Sequence, residues 1–268
     1  MIVLFLFSIS PVKATHEYVN KLGIEMTQTE YQTLLNLGFS PDEIYHMPKE
    51  IFEENKDLTA ASLISRTQKY YKTVVPTYGN SYVVEVTENE YYNHNNNLLS
   101  TVETYYHTII GTIAANGSLY RYKEIMAWNS LPSVKSFDVI AIGFNGDIHI
   151  DSVASFYNMY TDSGDNDYYS TDYFDKEYSD TGGSTTYELP SNFVGATAIY
   201  YFDVAKDANA GTITSLAMCA DYAHALQTVT GLQACSHEIS IIGINFSGSV
   251  YDYFNEIPCA DTYANVNW

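Results

Sequence analysis

Residues 101–128 read TVETYYHTIIGTIAANGSLYRYKEIMAW and have the pattern of a long β-hairpin. Apolar and polar side chains alternate as far as Ala115, which is typical of a strand with one buried face. Asn116 and Gly117 then form the pair that a two-residue hairpin turn prefers, because both tolerate a positive φ. Residues 118–128 return as a second strand pattern. The stretch therefore predicts two long antiparallel strands.

Further strand patterns, rich in tyrosine, threonine and branched residues, lie on both sides of this hairpin. Residues 137–144, FDVIAIGF, are nearly all apolar, as in a central strand that is covered on both faces. The other patterns occupy residues 70–75, 82–86, 147–150, 153–160, 196–204, 211–226 and 237–254. Alanine dilutes the pattern at 217–226, where a helix is the alternative. Many short strands separated by turns predict a mainly β, sandwich-like domain over residues 69–268.

Residues 15–68 carry helical signals instead. Thr27 with Glu30, and Ser40 with Glu43, each have the spacing of a capping box, in which a hydroxyl and a carboxylate satisfy each other's backbone donors. Gly38 ends the first helix. A few short helices cannot bury much surface alone, so this small helical segment packs on the β domain, packs on another chain, or stays mobile.

The first fourteen residues resemble a cleavable secretory signal peptide. Residues 2–9 are apolar, and small residues stand at the −3 and −1 positions before Thr15. A buried N-terminal strand is the alternative. No second apolar stretch reaches the roughly 18 residues that a membrane span needs, so the prediction is a secreted protein without membrane insertion.

Charge narrows the range of partners. The chain has 32 acidic residues against 12 basic ones, which gives a formal net charge of −20. Such a field repels phosphate backbones and anionic lipid, so nucleic acid and membrane surfaces are excluded as expected partners. The composition suits an extracellular protein, or one that meets cations.

The three cysteines predict one disulfide and one remaining thiol in an oxidising compartment. The pairing of Cys219 with Cys235 is favoured, since a closed loop of about 17 residues would contribute about 3 kcal/mol through chain entropy. Cys259 is then the free thiol, although the other pairings stay open. No cysteine has zinc-ligand spacing to another cysteine or a histidine.

Residues 162–180 form an acidic, tyrosine-rich loop. Its carboxylates are the hard oxygen ligands that calcium uses, although their spacing does not match an EF-hand. The candidate calcium ligands are Asp162, Asp165, Asp167, Asp172 and Asp175. The alternative is a solvated acidic loop without a metal, and no other cofactor is expected.

No motif for nucleophilic catalysis is present, because the chain has no Gly-x-Ser-x-Gly elbow. His107 and His149 lie in alternating strands where they could face a common cleft, but histidines in such places are more often structural. No residue is therefore assigned a catalytic role.

Tyrosines are the clearer functional signal, since the chain has 26 of them. Tyrosine offers a large, stiff ring with a polar end, which suits recognition of a glycan or a protein. The candidate binding residues are Tyr120, Tyr122, Tyr168, Tyr169, Tyr173, Tyr251 and Tyr253. Pairs spaced two apart lie on one face of a strand, so cross-strand packing is the alternative role.

Several stretches together resemble uncharacterised secreted proteins of Gram-positive bacteria. The likeness lies in residues 26–31 (MTQTEY), 34–40 (LLNLGFS), 52–57 (FEENKD), 120–123 (YRYK), 128–133 (WNSLPS) and 136–144 (SFDVIAIGF). The resemblance implies an exported, sandwich-like bacterial protein, and it brings no catalytic residue with it.

Three hypotheses for the function follow. The first is a non-enzymatic secreted or surface protein that binds or adheres to a glycan or a protein partner. The second is a secreted hydrolase whose site is assembled across strands, and the third is a structural component of an extracellular or virion-like assembly. An exposed tyrosine patch favours the first, a cleft that gathers carboxylates or both histidines favours the second, and a long uncovered edge strand favours the third.

Overall fold

The computed structural model describes residues 17–78, 80–93, 103–129 and 131–268. Its helices are α1 (Gln28–Asn36), α2 (Pro41–Tyr45), α3 (Lys49–Asn55), α4 (Glu88–Asn93), α5 (Gly231–Ala234) and the 3-10 helix η1 (Gly248–Tyr253). Its strands are β1 (Tyr18–Val19), β2 (Glu25–Met26), β3 (Ala61–Val75), β4 (Tyr82–Val86), β5 (Glu103–Asn116), β6 (Leu119–Trp128), β7 (Phe137–Phe144), β8 (Ile148–Ile150), β9 (Ser155–Thr161), β10 (Asp167–Ser170), β11 (Asp175–Ser179), β12 (Gly182–Glu188), β13 (Gly195–Lys206), β14 (Ser215–Ala225), β15 (His237–Ser240), β16 (Gly243–Phe246) and β17 (Phe254–Asn265). The predicted signal peptide, residues 1–14, lies outside the described residues.

Two antiparallel sheets form the body of the protein. The eight-stranded sheet has the order β10-β9-β13-β6-β5-β3-β4, with β8 also paired to β13. The five-stranded sheet has the order β11-β12-β7-β14-β17. A large core of tyrosine, phenylalanine, isoleucine and alanine side chains fills the space between them. The predicted mainly β, sandwich-like fold is confirmed.

The predicted hairpin is β5–β6. The two strands pair from His107 opposite Trp128 to Asn116 opposite Leu119, and Gly117 has a φ of 64° in the turn. Strand β7 is the apolar run, and it lies in the middle of the five-stranded sheet. Residues 217–225 belong to strand β14 rather than to a helix, because β14 pairs with neighbours on both of its edges.

The small helices α1, α2 and α3 pack on the outer face of the eight-stranded sheet. Both predicted capping boxes are present. The apolar side chains of this layer, among them Leu34, Ile44 and Ile51, meet Ile110 and Ile125 of the sheet in a second core. Within the described ranges, no helix is both long enough and apolar enough to cross a membrane.

The predicted end of the helical segment near residue 68 is wrong. Strand β3 begins at Ala61, where it pairs with Asn116, and it follows β5 to the far end of the sheet. Local propensity at residues 61–68 is weak, so pairing with a long neighbouring strand decides their conformation.

A disulfide forms as predicted, but its partners are Cys219 and Cys259, 40 residues apart. These cysteines lie on the paired strands β14 and β17, and their Cα atoms are 5.4 Å apart, within the range that a disulfide requires. The predicted bond from Cys219 to Cys235 is wrong. The entropy of loop closure favours the shorter loop, but the pairing of β14 with β17 decides which two cysteines lie close enough to form the bond. Cys235 follows helix α5 as a half-buried thiol.

Candidate functional site

A cleft of about 620 Å³ opens at one edge of the sandwich. Two connections line it, residues 171–174 after β10 and residues 189–193 after β12, where the chain passes from one sheet to the other. Five aromatic side chains line the cleft: Phe137, Tyr160, Tyr173, Phe174 and Phe193. Pockets of this size and concavity are where small ligands usually bind.

The rings of the cleft support one another. Tyr160 and Phe193 stack with their centroids 5.1 Å apart, and Phe137 meets Phe174 edge-on at 5.3 Å. Tyr173 and Phe174 remain about half exposed, at 49% and 48%. The ammonium of Lys176 lies over the Tyr173 ring, 4.2 Å from its centroid. The remaining exposed surface of the two rings is available to a ligand, while the rings beneath them are held by packing.

Two contacts fix the position of Phe174 in the cleft. Its backbone N–H donates to the carbonyl of Thr186 at 2.7 Å, next to the start of β11. Its ring lies on Gly231, where an added Cβ would stand 2.4 Å from the ring. Glycine at position 231 is therefore required for this close approach.

Polar groups of both signs share the cleft with these rings. Within the described chain, the carboxylates of Asp172 and Glu188 make no hydrogen bond or ion pair, so both are available to a ligand. Lys135 donates to the carbonyls of Ser191 and Phe193, at 2.9 Å and 3.2 Å, and so holds one wall in place. Burial, with the two carboxylates nearby, raises the pKa of Tyr160, which stays a protonated hydroxyl.

The structure brings two of the seven predicted binding tyrosines to this cleft. Tyr173 lines it, and Tyr168 packs against Phe193 at 5.3 Å on its rim. Tyr169, also exposed, lies in a different depression, where its hydroxyl is 3.4 Å from Glu50.

The other predicted tyrosines lie elsewhere, and two predictions need correction. Tyr122 is fully buried between the sheets, and Tyr120 is half-buried against Trp268, because the face they share is the inner one. Tyr251 and Tyr253 belong to the 3-10 helix η1 rather than to a strand. Spacing shows which tyrosines share a face but not which face is covered.

Sequence reasoning missed the phenylalanines and Glu188 of the cleft. They come from segments far apart in the chain, and only the crossing between the sheets gathers them. Phe174 is the exception, because it directly follows Tyr173, which the sequence analysis had already selected as a binding residue.

The five predicted calcium ligands are spread over several elements. Asp162 caps the turn between β9 and β10, where its Oδ1 accepts from the N–H groups of Gly164 and Asn166. These hydrogen bonds lower the pKa of Asp162. Asp167 forms an ion pair with Lys21 at 2.5 Å.

The other three predicted calcium ligands do not lie together with Asp162 and Asp167. Asp165 stands in the same turn with a φ of 58°, Asp172 lines the cleft, and Asp175 lies on β11. In the described part of the chain, no group of three metal-ligating side chains combines Asp162, Asp165, Asp167 or Asp172. The calcium site stays a prediction.

The two candidate histidines do not share a cleft. His107 is fully buried between Tyr71 and Trp128, and burial lowers its pKa to about 3. His149 lies on the surface, 2.6 Å from Asp207. This separation disfavours a hydrolase built on the pair.

A second hollow, of about 560 Å³, lies on the outer face of the eight-stranded sheet beside α2 and α4. Tyr70, Tyr91 and Tyr92 pack together on its wall. Its acids already have partners: Glu43 completes the capping box of α2, and Glu88 accepts from Tyr70. The aromatic cleft thus offers more unpaired polar groups than this hollow.

No protein-family model and no curated protein matches the sequence. The collagen-binding domain of the Erysipelothrix rhusiopathiae surface protein RspB is 6% identical, with 61% of this chain and 66% of that chain covered and a TM-score of 0.27. AvmM, which catalyses macrocyclization in alchivemycin A biosynthesis, is 11% identical over 40% and 65%, with a TM-score of 0.19. Clostridium perfringens delta-toxin is 10% identical over 76% of each chain, with a TM-score of 0.14. Likeness at these TM-scores supports no inference about the protein.

Proposed function

We propose that this protein is a non-enzymatic extracellular binding module whose aromatic cleft takes a glycan. The observation that carries the proposal is the placement of two half-exposed rings, Tyr173 and Phe174, beside two unpaired carboxylates, Asp172 and Glu188. Flat rings stack on the apolar faces of sugars, and carboxylates accept hydrogen bonds from sugar hydroxyls.

The negative charge of the chain limits which glycans can bind. With a net charge of −20, the protein repels sulfated and carboxylated polysaccharides at long range. Asp172 and Glu188 add negative charge inside the cleft. The ligand class that fits is a neutral or amino-substituted glycan.

The disulfide between Cys219 and Cys259 supports an extracellular location, because such bonds persist in oxidising compartments. Mass mapping of freshly exported protein without reduction should yield the linked peptide pair. Free thiols at both positions would contradict the location.

The binding experiment begins with an array of neutral, amino-substituted and acidic glycans, followed by calorimetry on the best ligand. Tyr173→Ala should weaken binding at least tenfold, equivalent to about 1.4 kcal/mol. Tyr78→Ala is the matched control, since Tyr78 is 91% exposed and does not line the cleft. No binding to any glycan, or equal losses in both variants, would refute the proposal.

A hydrolase is the second candidate, because Asp172 and Glu188 share one cleft as paired carboxylates do in glycosidases. The same glycans should therefore be incubated with the protein and assayed for new reducing ends. Turnover that is lost in Glu188→Gln would replace the binding module by an enzyme at the same site.

The assembly hypothesis receives less support. Strand β17 is a long edge of the five-stranded sheet, but it carries Pro258, Glu256 and Asp261. Proline and charged residues are features with which edge strands resist pairing with other chains. A protein partner remains the alternative occupant of the cleft, and the glycan array decides between the two.

A further inference from the structure

The second hollow, beside α2 and α4, is an elongated groove. Its floor follows register partners across five strands: Tyr70 lies opposite Thr108, Thr108 opposite Ala127, Ala127 opposite Thr197, and Thr197 opposite Met159. Such a line runs across the strands, and four inter-strand steps of about 4.8 Å make it about 19 Å long. An extended peptide of about six residues has the same length.

The walls of the groove are tied to strand β3. In the wall formed by α2, Glu43 accepts from the N–H of Ser40 in the capping box, and its other carboxylate oxygen lies 3.6 Å from the guanidinium of Arg66. In the wall formed by α4, Glu88 accepts from the hydroxyl of Tyr70 at 3.1 Å. The groove is therefore formed before a ligand arrives, which lowers the entropy that binding costs.

The groove carries negative charge that the chain itself leaves unpaired. Four carboxylates line it: Asp42, Glu43, Glu88 and Asp167. Glu43 and Asp167 form ion pairs with Arg66 and Lys21. Among the described residues, no lysine or arginine pairs with Asp42 or Glu88, and both are exposed. His46, 3.7 Å from Asp42, is charged only when protonated. A basic ligand would supply the missing cations.

Other lining groups suit a peptide chain. The side chains of Asn129 and Thr197 make no hydrogen bond within the described chain, so a carboxamide and a hydroxyl are free for the N–H and C=O groups of a backbone. Half-exposed Met159 offers apolar contact on the floor. Tyr92 is 65% exposed and lies one helical turn after Glu88, so its ring and that carboxylate can share one cation.

We propose that this groove binds an extended peptide segment of a partner protein, in which lysine or arginine stands near an apolar side chain. Its length fits a chain rather than a single small molecule, its charge selects a basic segment, and its free carboxamide and hydroxyl suit a backbone. The net charge of −20 attracts such a segment from a distance. The described residues that line the groove differ from those of the aromatic cleft, so this site does not depend on glycan binding.

The experiment uses the disulfide-intact protein and an array of capped peptides of the length of the groove, in which charge and apolar content vary independently. Basic peptides with an apolar residue should bind, and acidic ones should not. Fluorescence anisotropy on the best peptide then compares two substitutions of alanine by lysine. Ala127→Lys puts a cation on the floor and should weaken binding about tenfold or more. Ala208→Lys, in the exposed turn after β13, changes the net charge equally and should not.

A second pair of variants tests the carboxylate. Glu88→Gln should weaken binding about two- to fivefold, as expected for an exposed ion pair, and Asp180→Asn, at an exposed acid elsewhere, should leave it unchanged. Melting curves separate a lost groove from a lost fold, and Glu88→Gln decides if Ala127→Lys does not fold.

Three results would overturn the proposal. The first is that no basic, apolar peptide binds. The second is an equal loss in each variant and its control, which would show a general attraction to an acidic protein. The third is weaker peptide binding in Tyr173→Ala, which would place the peptide in the aromatic cleft.

Discussion

The eight-stranded sheet has a core on each face, and the two cores are built differently. The inner one, between the sheets, is aromatic and contains a buried hydrogen-bond network: Asp138 accepts from Tyr222, which is also bonded to Trp128 and Tyr187. The outer one, under α1–α3, is mainly aliphatic. Its polar contacts include the ion pair of Arg121 with Asp203 and the hydrogen bond from Asn55 to the hydroxyl of Tyr201.

Besides Arg121, strand β6 carries two buried charged-type side chains, Lys123 and Glu124, and neither has a hydrogen-bond partner in the described chain. Glu124 points inward and Lys123 outward, and both are fully buried. The ammonium of Lys123 lies over the ring of Phe39, 3.4 Å from its centroid. Burial raises the pKa of Glu124 well above its usual range and lowers that of Lys123 to about 7. Adjacent residues thus make stability depend on pH in opposite directions.

The largest expected effect comes from breaking the covalent link within the five-stranded sheet. Cys219→Ala with Cys259→Ser should cost about 4 kcal/mol of unfolding free energy, because a loop of about 40 residues is no longer closed in the unfolded chain. Urea unfolding measures the loss. Cys235→Ser, which removes the described cysteine outside the disulfide, is the control, and an equal loss in that control would contradict the assignment.

The next effect concerns the outer core. Lys123→Met should stabilise the protein by about 1–4 kcal/mol at pH 6, since it removes a buried ammonium that forms no ion pair with any described residue. The folded pKa of about 7 lies below the ordinary value of 10.5, so between these values the unfolded chain binds more protons and stability rises with pH. The gain should therefore shrink from pH 7 and vanish above pH 10.5.

Urea unfolding at several pH values checks this prediction, with Lys72→Met as the control. Lys72 is paired with Glu90 on the surface and should give little change. A gain that is independent of pH would show that packing, rather than charge, is responsible.

The contribution of the inner core to stability should depend on pH with the opposite sign. Glu124 keeps its proton when folded at pH values where the unfolded chain has lost it, so its contribution to stability falls as pH rises above 4.5. Glu124→Gln should therefore change little below pH 4.5 and stabilise by about 1–3 kcal/mol at pH 7. A gain that is already complete at pH 4 would contradict the protonation argument.

The smallest effect is expected for the carboxylates of the turn between β9 and β10. Asp162 and Asp167 already have partners in the turn and in Lys21, so calcium and magnesium at equal ionic strength should shift the melting temperature equally and slightly. The triple variant Asp165→Asn/Asp167→Asn/Asp172→Asn should respond in the same way. A calcium-specific rise that the variant loses would establish the predicted calcium site.

Local patterns were enough to predict the local structure. Asn116-Gly117 defines the central hairpin, and Thr27 and Ser40 mark the starts of two helices, because turns and caps depend on residues a few positions apart. The partner of Cys219 and the start of β3 could not be predicted in this way, because strand pairing over tens of residues decides both. The same holds for the aromatic cleft: Tyr173 was a candidate from its composition, but Phe137 and Phe193 join it only through the crossing of two sheets.

The position of Phe174 limits how far the cleft can move when a ligand binds. Tyr173 before it lines the cleft, the N–H of Phe174 itself is bonded to Thr186 of β12, and the Phe174 ring rests on Gly231 of α5. A displacement of Phe174 would therefore break a backbone hydrogen bond and move α5 as well. The cleft is preorganised, so little of the binding free energy is spent on ordering this segment.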